Sequence, residues 1–133
     1  MNIPNPRKSH RWVLLRHIGS PDDIGGFHFD FLLEDKEFCR TWRLSEIPLL
    51  DGPSVDSVYI APHNLYWLDI KEKVLTANRG VATRIKKGIF LKSLPSFEQR
   101  FIKLSLRWGN VEADLAIDEN GCRIFSKKSN CFL

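Results

Sequence analysis

His28 and Asp30 stand one residue apart in the run FHFDF, and two more histidines, His17 and His63, lie before and after them in the chain. Successive side chains of an extended strand point to opposite faces, so His28 and Asp30 project from the same face and can bind one cation. Imidazole and carboxylate groups suit divalent manganese, iron or zinc, and a set of three ligands leaves positions open for water or substrate. An ion held there could polarise a phosphoryl oxygen and lower the pKa of its bound water, as hydrolysis requires. The pattern therefore indicates a divalent metal site with open positions.

The strand that would carry this pair has a second, apolar face. Phe27, Phe29, Phe31 and Leu33 occupy the alternate positions, so one face can be buried while the other is used, and the alternation fixes the register of the strand. The same period of two runs through most of the chain, which predicts a mainly antiparallel β protein. We expect a short helix or turn at 94–99, capped by Ser96. We expect strands at 11–18, 26–34, 37–44, 57–61, 81–86, 88–92, 99–108, 111–117 and 122–126.

The turns between these segments indicate the fold class. The segments 102–108 and 111–117 alternate on either side of Gly109 and Asn110, which is the pattern of a hairpin with a tight turn. An open sheet of so many short strands would leave exposed edges, so we expect an all-β, small, closed or partly open β-barrel. A chain of 133 residues is of the size of one domain, and we expect it to span 1–133 with loosely ordered ends at about 1–8 and 129–133.

Composition narrows the functional classes. The 20 lysines and arginines outnumber 16 aspartates and glutamates, and the net charge of +4 permits a nucleic-acid partner without requiring one. No segment approaches the roughly 18 apolar residues of a membrane span, and the first residues lack the apolar region of a secretory signal, so we expect a cytoplasmic protein that does not associate with membranes. The chain has an odd number of cysteines, and none of them shows Cys-x-x-Cys spacing, which argues against a disulfide framework and a zinc ribbon. We therefore expect reduced thiols at Cys39, Cys122 and Cys131.

The His-x-Asp pair has a second chemical interpretation. With a later histidine on a β scaffold, it is also the facial triad of non-haem iron oxygenases, in which the open positions take oxygen and a keto acid. That function needs a larger fold of two sheets and a distal arginine anchor. The length of 133 residues is short for such an enzyme.

Three segments of the chain resemble a known family. The run RWVLLRHIGSPDDIGGFHFDFLLEDKEFCRTWRL, then APHNLYW and then GVATRIKKGIF, is similar to the phosphoesterase domain that bacterial DNA ligase D carries at its N-terminus and that also occurs as stand-alone proteins. The resemblance implies a small β-barrel with a manganese site that removes 3′-terminal ribonucleotides and 3′-phosphates from DNA ends. It implies that His17, His28 and Asp30 bind the metal, manganese before zinc or another transition metal, and that His63 acts in catalysis by contacting phosphate or moving a proton.

The chain also departs from the family pattern. The family places an arginine that clamps phosphate two residues after the aspartate, where this chain has Leu32, and a family lysine coincides with Glu46. Phosphoryl transfer depends on positioned positive charge, so these two losses should weaken transition-state stabilisation. Arg16, Arg43 and Arg84 are the candidates for contacting substrate in their place.

Two hypotheses therefore compete. In the first, the protein is a metal-dependent phosphoesterase that acts on nucleic-acid 3′ ends. In the second, it is a catalytically impaired relative that binds nucleic-acid ends, another phosphate or a partner protein. Leu32 and Glu46 motivate the second hypothesis, and the ordered set of histidines and Asp30 motivates the first.

Overall fold

The computed structural model describes residues 9–21, 23, 25–96 and 99–127, and in these residues it forms nine antiparallel strands and one 3-10 helix. One curved sheet has the order β4-β3-β2-β1-β6-β7-β8-β9, with β5 paired to β6, and it curls into a half-barrel. The strands are β1 (His10–Ile18), β2 (Phe27–Asp35), β3 (Phe38–Leu44), β4 (Ser57–Asn64), β5 (Glu72–Val74), β6 (Val81–Phe90), β7 (Ile102–Trp108), β8 (Val111–Ile117) and β9 (Cys122–Ser126); the 3-10 helix η1 is Leu65–Asp69.

The predicted fold class is confirmed, with differences at individual elements. The hairpin around Gly109 forms as expected, with Trp108 paired to Val111. β5 and η1 were not predicted, and β4 runs to Asn64 rather than ending at 61. At the predicted helix or turn, the Gln99 amide donates to the Ser96 carbonyl at 2.9 Å. Residues 97 and 98 lie outside the described residues. The predicted loose ends, 1–8 and 129–133, lie outside the described residues as well.

The two strands predicted at 81–86 and 88–92 are a single strand, β6, and the prediction of a break was wrong. Gly88 lies within this strand, where Trp12 packs against the backbone. A Cβ at Gly88 would lie 2.5 Å from both Trp12 Nε1 and the Arg107 carbonyl oxygen, the two atoms joined by a hydrogen bond of 3.1 Å. The close approach of a side chain, rather than a turn, explains this glycine.

The first three strands are buried on both faces. Their inner face contributes to the main core, in which alternate residues of β1, β2 and β3 pack against β7, β8 and β9. Their outer face holds a smaller apolar cluster that η1 covers. The inner-face residues of these strands are Trp12, Leu14, Phe29, Phe31, Leu33, Trp42 and Leu44; the outer cluster is Val13, Leu15, Leu32, Cys39 and Leu68.

Two features of the described residues bear on the expectations for cysteine chemistry and membranes. Cys39 and Cys122 are free, as predicted, and both are buried. Burial raises the pKa of each thiol to about 12, which makes both poor nucleophiles. Cys131 lies outside the described residues. No helix in the described part of the chain is long and apolar enough to cross a membrane.

Candidate metal centre

The pairing of β1 with β2 brings the three predicted metal ligands together. His17 lies directly opposite His28, and Leu15 lies opposite Asp30, so all three ligand side chains project from the outer face at neighbouring positions. One ligand atom from each of His17, His28 and Asp30 lies within 4.8 Å of the other two, and the His28 and Asp30 side chains are buried. This group could hold a metal ion.

His28 is oriented by a carboxylate on each side. Its Nδ1 lies 2.6 Å from Asp23 Oδ2, and its Nε2 lies 3.3 Å from Asp30 Oδ2. A carboxylate only accepts, so Nδ1 donates a hydrogen bond to Asp23 and, in the metal-free protein, Nε2 donates one to Asp30. Nε2 is therefore the nitrogen that faces the cluster, and it would have to lose its proton to bind a metal ion. Burial lowers the pKa of His28, but the hydrogen bond and charge of Asp30, together with Asp23, more than offset it, so the pKa is raised overall. A carboxylate that holds the far side of a ligating imidazole is common at metal centres.

His17 is oriented by a backbone carbonyl. Its Nε2 lies 2.6 Å from the Arg79 carbonyl oxygen, so this nitrogen donates and Nδ1 keeps its lone pair for a metal ion. Arg79 follows a tight turn between β5 and β6, in which Ala77 and Asn78 have φ of 58° and 56°. Gly80 lets this turn approach β1, because a Cβ there would lie 2.0 Å from the Ile18 carbonyl oxygen.

Asp30 is the most highly connected side chain of the cluster. Burial raises its pKa, but hydrogen bonding to His28 and the charges of His28, Arg43 and His63 lower the pKa by more, so the carboxylate stays ionised. Arg43 lies directly opposite Asp30 on β3, and its Nε donates to Asp30 Oδ1 at 3.4 Å. An ionised carboxylate held by cations is the state that a divalent ion requires.

His63 reaches the cluster from the edge strand β4. Between Ile60 and His63, β4 has one more residue than β3, and this irregularity contains Pro62, as is common on edge strands. His63 Nε2 lies 3.8 Å from Asp30 Oδ2, while its Nδ1 donates to the Ala61 carbonyl at 3.4 Å. Burial lowers the pKa of His63, and the charge of Asp30 offsets this only in part. Its Nε2 is therefore a neutral acceptor beside the three candidate ligands near pH 7.

A cavity of about 150 Å³ opens onto this cluster, compared with roughly 30 Å³ for one water in the liquid. Its lining combines imidazole, carboxylate and guanidinium groups with apolar side chains. A phosphate group is of a suitable size for it. The lining residues are Leu15, His17, Asp30, Arg43, His63, Trp67, Leu75 and Ala82.

The three candidate arginines lie in different places. Arg43 lines the cavity. Arg16 pairs with Phe29 on the inner face, so the structure does not bring it to the cluster. Arg84 pairs with Leu15 on the outer face and lines a neighbouring cavity instead. The fourth histidine, His10, stacks on Phe90 with ring centroids 5.2 Å apart and takes no part in the cluster.

Both departures from the family pattern have a clear structural setting. Leu32 is fully buried against Val13, Leu15 and Leu68, so an apolar cluster fills the place where a cationic side chain would otherwise face the site. Glu46 is exposed after the end of β3 and does not line the cavity. Leu32 therefore lies next to the site, whereas Glu46 does not touch it.

Sequence reasoning missed two parts of the centre. Asp23 belongs to the loop before β2, and nothing in the sequence indicated that this aspartate turns back onto His28. The Arg79 carbonyl is a backbone group and has no sequence signal of its own. The Ala77-to-Gly80 segment signals a turn, yet the position of that turn depends on the pairing of β1 with β6.

No protein-family model matches the chain, and no curated protein matches it. The comparisons therefore add no family name to the fold. What the molecule has is an all-antiparallel β half-barrel with a largely buried His, His and Asp group that could hold a metal ion.

Proposed function

We propose that this protein is a divergent relative of the DNA ligase D phosphoesterases that hydrolyses phosphate esters at nucleic-acid 3′ ends with a divalent metal ion. The observation that carries the proposal is the convergence of His17, His28 and Asp30, with His63 and Arg43 facing the same small cavity. The resemblance noted in the sequence supplies the substrate class. The curved sheet agrees with the small barrel that the resemblance implies, whereas the facial-triad alternative requires two sheets.

In this proposal the ligands are His17 through Nδ1, His28 through Nε2 and Asp30 through a carboxylate oxygen. A bound ion, manganese before zinc, supplies a Lewis acid for the phosphoryl oxygen and an acidified water. Asp23 and the Arg79 carbonyl hold the two imidazoles in the tautomers that ligation needs. Each of the three ligands then has a supporting contact, because Arg43 holds Asp30.

The remaining polar groups of the cavity act on the substrate. His63 Nε2 faces the cluster as a neutral acceptor, which suits it to take a proton from the attacking water or to contact the phosphate. Arg43 places a cationic group beside Asp30 and is 44% exposed, so it can turn towards a phosphate oxygen. In the absence of an arginine at Leu32, Arg43 is the cation that lines the cavity.

A second candidate function rests on Leu32. Because an apolar cluster replaces the family arginine, the site has one cationic donor fewer at the place where charge develops, and binding could persist while hydrolysis is slow. In this form the protein is a module that binds nucleic-acid ends. Both forms share a cytoplasmic location and nucleic-acid ends as partners, which we also propose on the basis of composition and resemblance.

Phosphate release separates the two functions. We expect the protein with Mn²⁺ to release phosphate from an oligonucleotide that carries a 3′-phosphate, and Asp30→Asn to release none above background. The matched control is Asp56→Asn, which makes the same change at an exposed carboxylate outside the cavity. Equal release by the wild type and Asp30→Asn would refute the metal-dependent mechanism. Retained Mn²⁺ binding and oligonucleotide binding without release would identify the binding module.

A further inference from the structure

A second cavity, of about 200 Å³, lies beside the metal centre on the same outer face. Four cationic side chains line it, against one carboxylate, that of Asp69. Asp69 and Arg11 pair with each other at 2.7 Å, which leaves three cations without a charge partner in the cavity. In the part of the chain that the structure describes, no carboxylate oxygen lies within 4.0 Å of a charged nitrogen of those three, which are Lys71, Arg84 and Lys87.

An irregularity in β6 places two of these cations on one face. Residues 84 and 87 differ in parity, so a regular strand would direct their side chains to opposite faces. The register shifts between Leu14 and Leu15, where Leu14 pairs with Lys86 and Leu15 with Arg84, which makes Ile85 an extra residue. A bulge of this kind re-aims the side chains that follow it. Arg84 and Lys87 therefore both project from the outer face, opposite Leu15 and Val13.

The outer-face positions of β6 that carry Arg84 and Lys87 form a line that begins at the metal centre. Ala82, which lines the first cavity, lies opposite His17, and Arg84 and Lys87 then follow opposite Leu15 and Val13. Each step along β1 is two residues, or about 6.6 Å, which is comparable with the spacing of phosphates along an extended single strand. Lys71 flanks the path, since its carbonyl accepts from the Arg84 amide at 2.8 Å.

We propose that Lys71, Arg84 and Lys87 form a backbone-binding track for a single nucleic-acid strand whose 3′ end lies at the metal centre. The inference rests on the proposed function and extends it: the ligand is an oligonucleotide of several nucleotides rather than a mononucleotide or another small phosphate ester. One line of cations matches one strand, and successive phosphates meet Arg84 and then Lys87 while the terminal phosphate reaches the cavity of His63 and Arg43. A track that contacts only phosphates binds without regard to base sequence.

Binding without metal tests the track separately from hydrolysis. The probe is a fluorescent single-stranded octanucleotide with a 3′-hydroxyl, titrated in EDTA at several salt concentrations, with a mononucleotide as competitor. We expect the double variant Arg84→Ala with Lys87→Ala to bind about tenfold more weakly and to lower the slope of log affinity against log salt by about 1.4, or roughly 0.7 for each phosphate that the protein no longer neutralises. The charge-conserving double variant Arg84→Lys with Lys87→Arg should restore binding.

The matched control is Lys86→Ala. Lys86 lies between the two track residues in sequence, but it pairs with Leu14 and its ammonium lies 5.3 Å from the centre of the Trp108 ring. The track is refuted if the double variant, with a native circular dichroism spectrum, binds no more weakly than Lys86→Ala. It is also refuted if the mononucleotide competes as well as the octanucleotide. If the wild type bound no Mn²⁺ or hydrolysed no substrate, the proposed function would be refuted. The oligonucleotide binding measured in EDTA would not be affected by that result.

Discussion

The inner and outer faces of β1, β2 and β3 consist of alternate residues of the same strands, yet they differ in composition and packing. The inner face is apolar apart from Arg16 and Arg40, and its apolar residues pack against the strands of the other half of the sheet. The outer face is divided: one part is the apolar cluster under η1, and the other is the group His17, His28 and Asp30. The difference indicates that the inner face determines stability, whereas the outer face carries a group that could hold a metal ion, next to a small apolar cluster of its own.

Removing a large side chain from the inner face should have the largest effect on stability. Phe31 is 1% exposed and packs edge-on against Trp12, with ring centroids 5.4 Å apart. We expect Phe31→Ala to lower the free energy of unfolding by about 3–5 kcal/mol, measured by urea denaturation. Mn²⁺ affinity of the protein that remains folded should change little. A variant that kept its stability but lost Mn²⁺ would reverse the roles of the two faces.

An arginine at position 32 on the outer face should lower the stability of the protein rather than increase phosphate release. Leu32 has no exposed surface and lies among apolar side chains, so Leu32→Arg would bury a guanidinium with no acceptor in the outer cluster. We expect a loss of about 3 kcal/mol in the free energy of unfolding and no gain in phosphate release. A stable variant with faster release would mean that the cluster opens easily and that only the charge was missing.

Removing one ligand should affect metal binding more than stability. Mutating a group that only holds a metal ligand in place typically lowers metal affinity by about 10–100-fold, and removing a ligand itself should lower it at least as much. We therefore expect His17→Asn to weaken Mn²⁺ binding by about 100-fold or more, measured by calorimetric titration. His10→Asn is the matched control, because His10 stacks on Phe90 and takes no part in the cluster. Equal affinities for the two variants would remove His17 from the site.

Removing the carboxylate of Asp23, which holds His28, should have a smaller effect on Mn²⁺ binding than removing a ligand. Asp23→Asn keeps the size of the side chain but removes the carboxylate that holds Nδ1 at 2.6 Å. We expect Mn²⁺ affinity to fall by about tenfold and the melting temperature to change little. Unchanged affinity would show that Asp30 and the strand pairing alone orient the imidazole.

A change of pH should have the smallest effect on the stability of the protein. The pKa of His28 is raised in the metal-free protein, so its ion pair with Asp30 stabilises the fold fully below the unfolded pKa, near 6.5, and this stabilisation is lost as pH rises through the folded pKa. In EDTA, the melting temperature of the wild type should therefore fall relative to that of His28→Gln as pH increases across neutrality. Mn²⁺ affinity should rise over the same range, because ligation requires the neutral imidazole. A constant difference in melting temperature would contradict the raised pKa.

The sequence predicted the local pattern of the site but not its surroundings. Strand parity alone placed His28 and Asp30 on one face and the phenylalanines on the other, and both placements depend only on neighbouring residues. It did not predict that this face is also partly apolar, since the cluster around Leu15 and Leu32 is completed by Leu68 of η1, a helix that the sequence did not predict. Nor could it locate Asp23 or the bulge at Ile85, because these depend on the path of a loop and on the register between strands distant in sequence.

Anomalous diffraction at the manganese edge, from crystals grown with Mn²⁺, tests the central claim most directly. The account predicts one strong peak on the outer face, bonded to His17 Nδ1, His28 Nε2 and a carboxylate oxygen of Asp30, with His63 Nε2 facing an open position. Asp23 and the Arg79 carbonyl should keep their hydrogen bonds to the two imidazoles. A peak at another place, or no peak at saturating Mn²⁺ with the three side chains well ordered, would contradict the account.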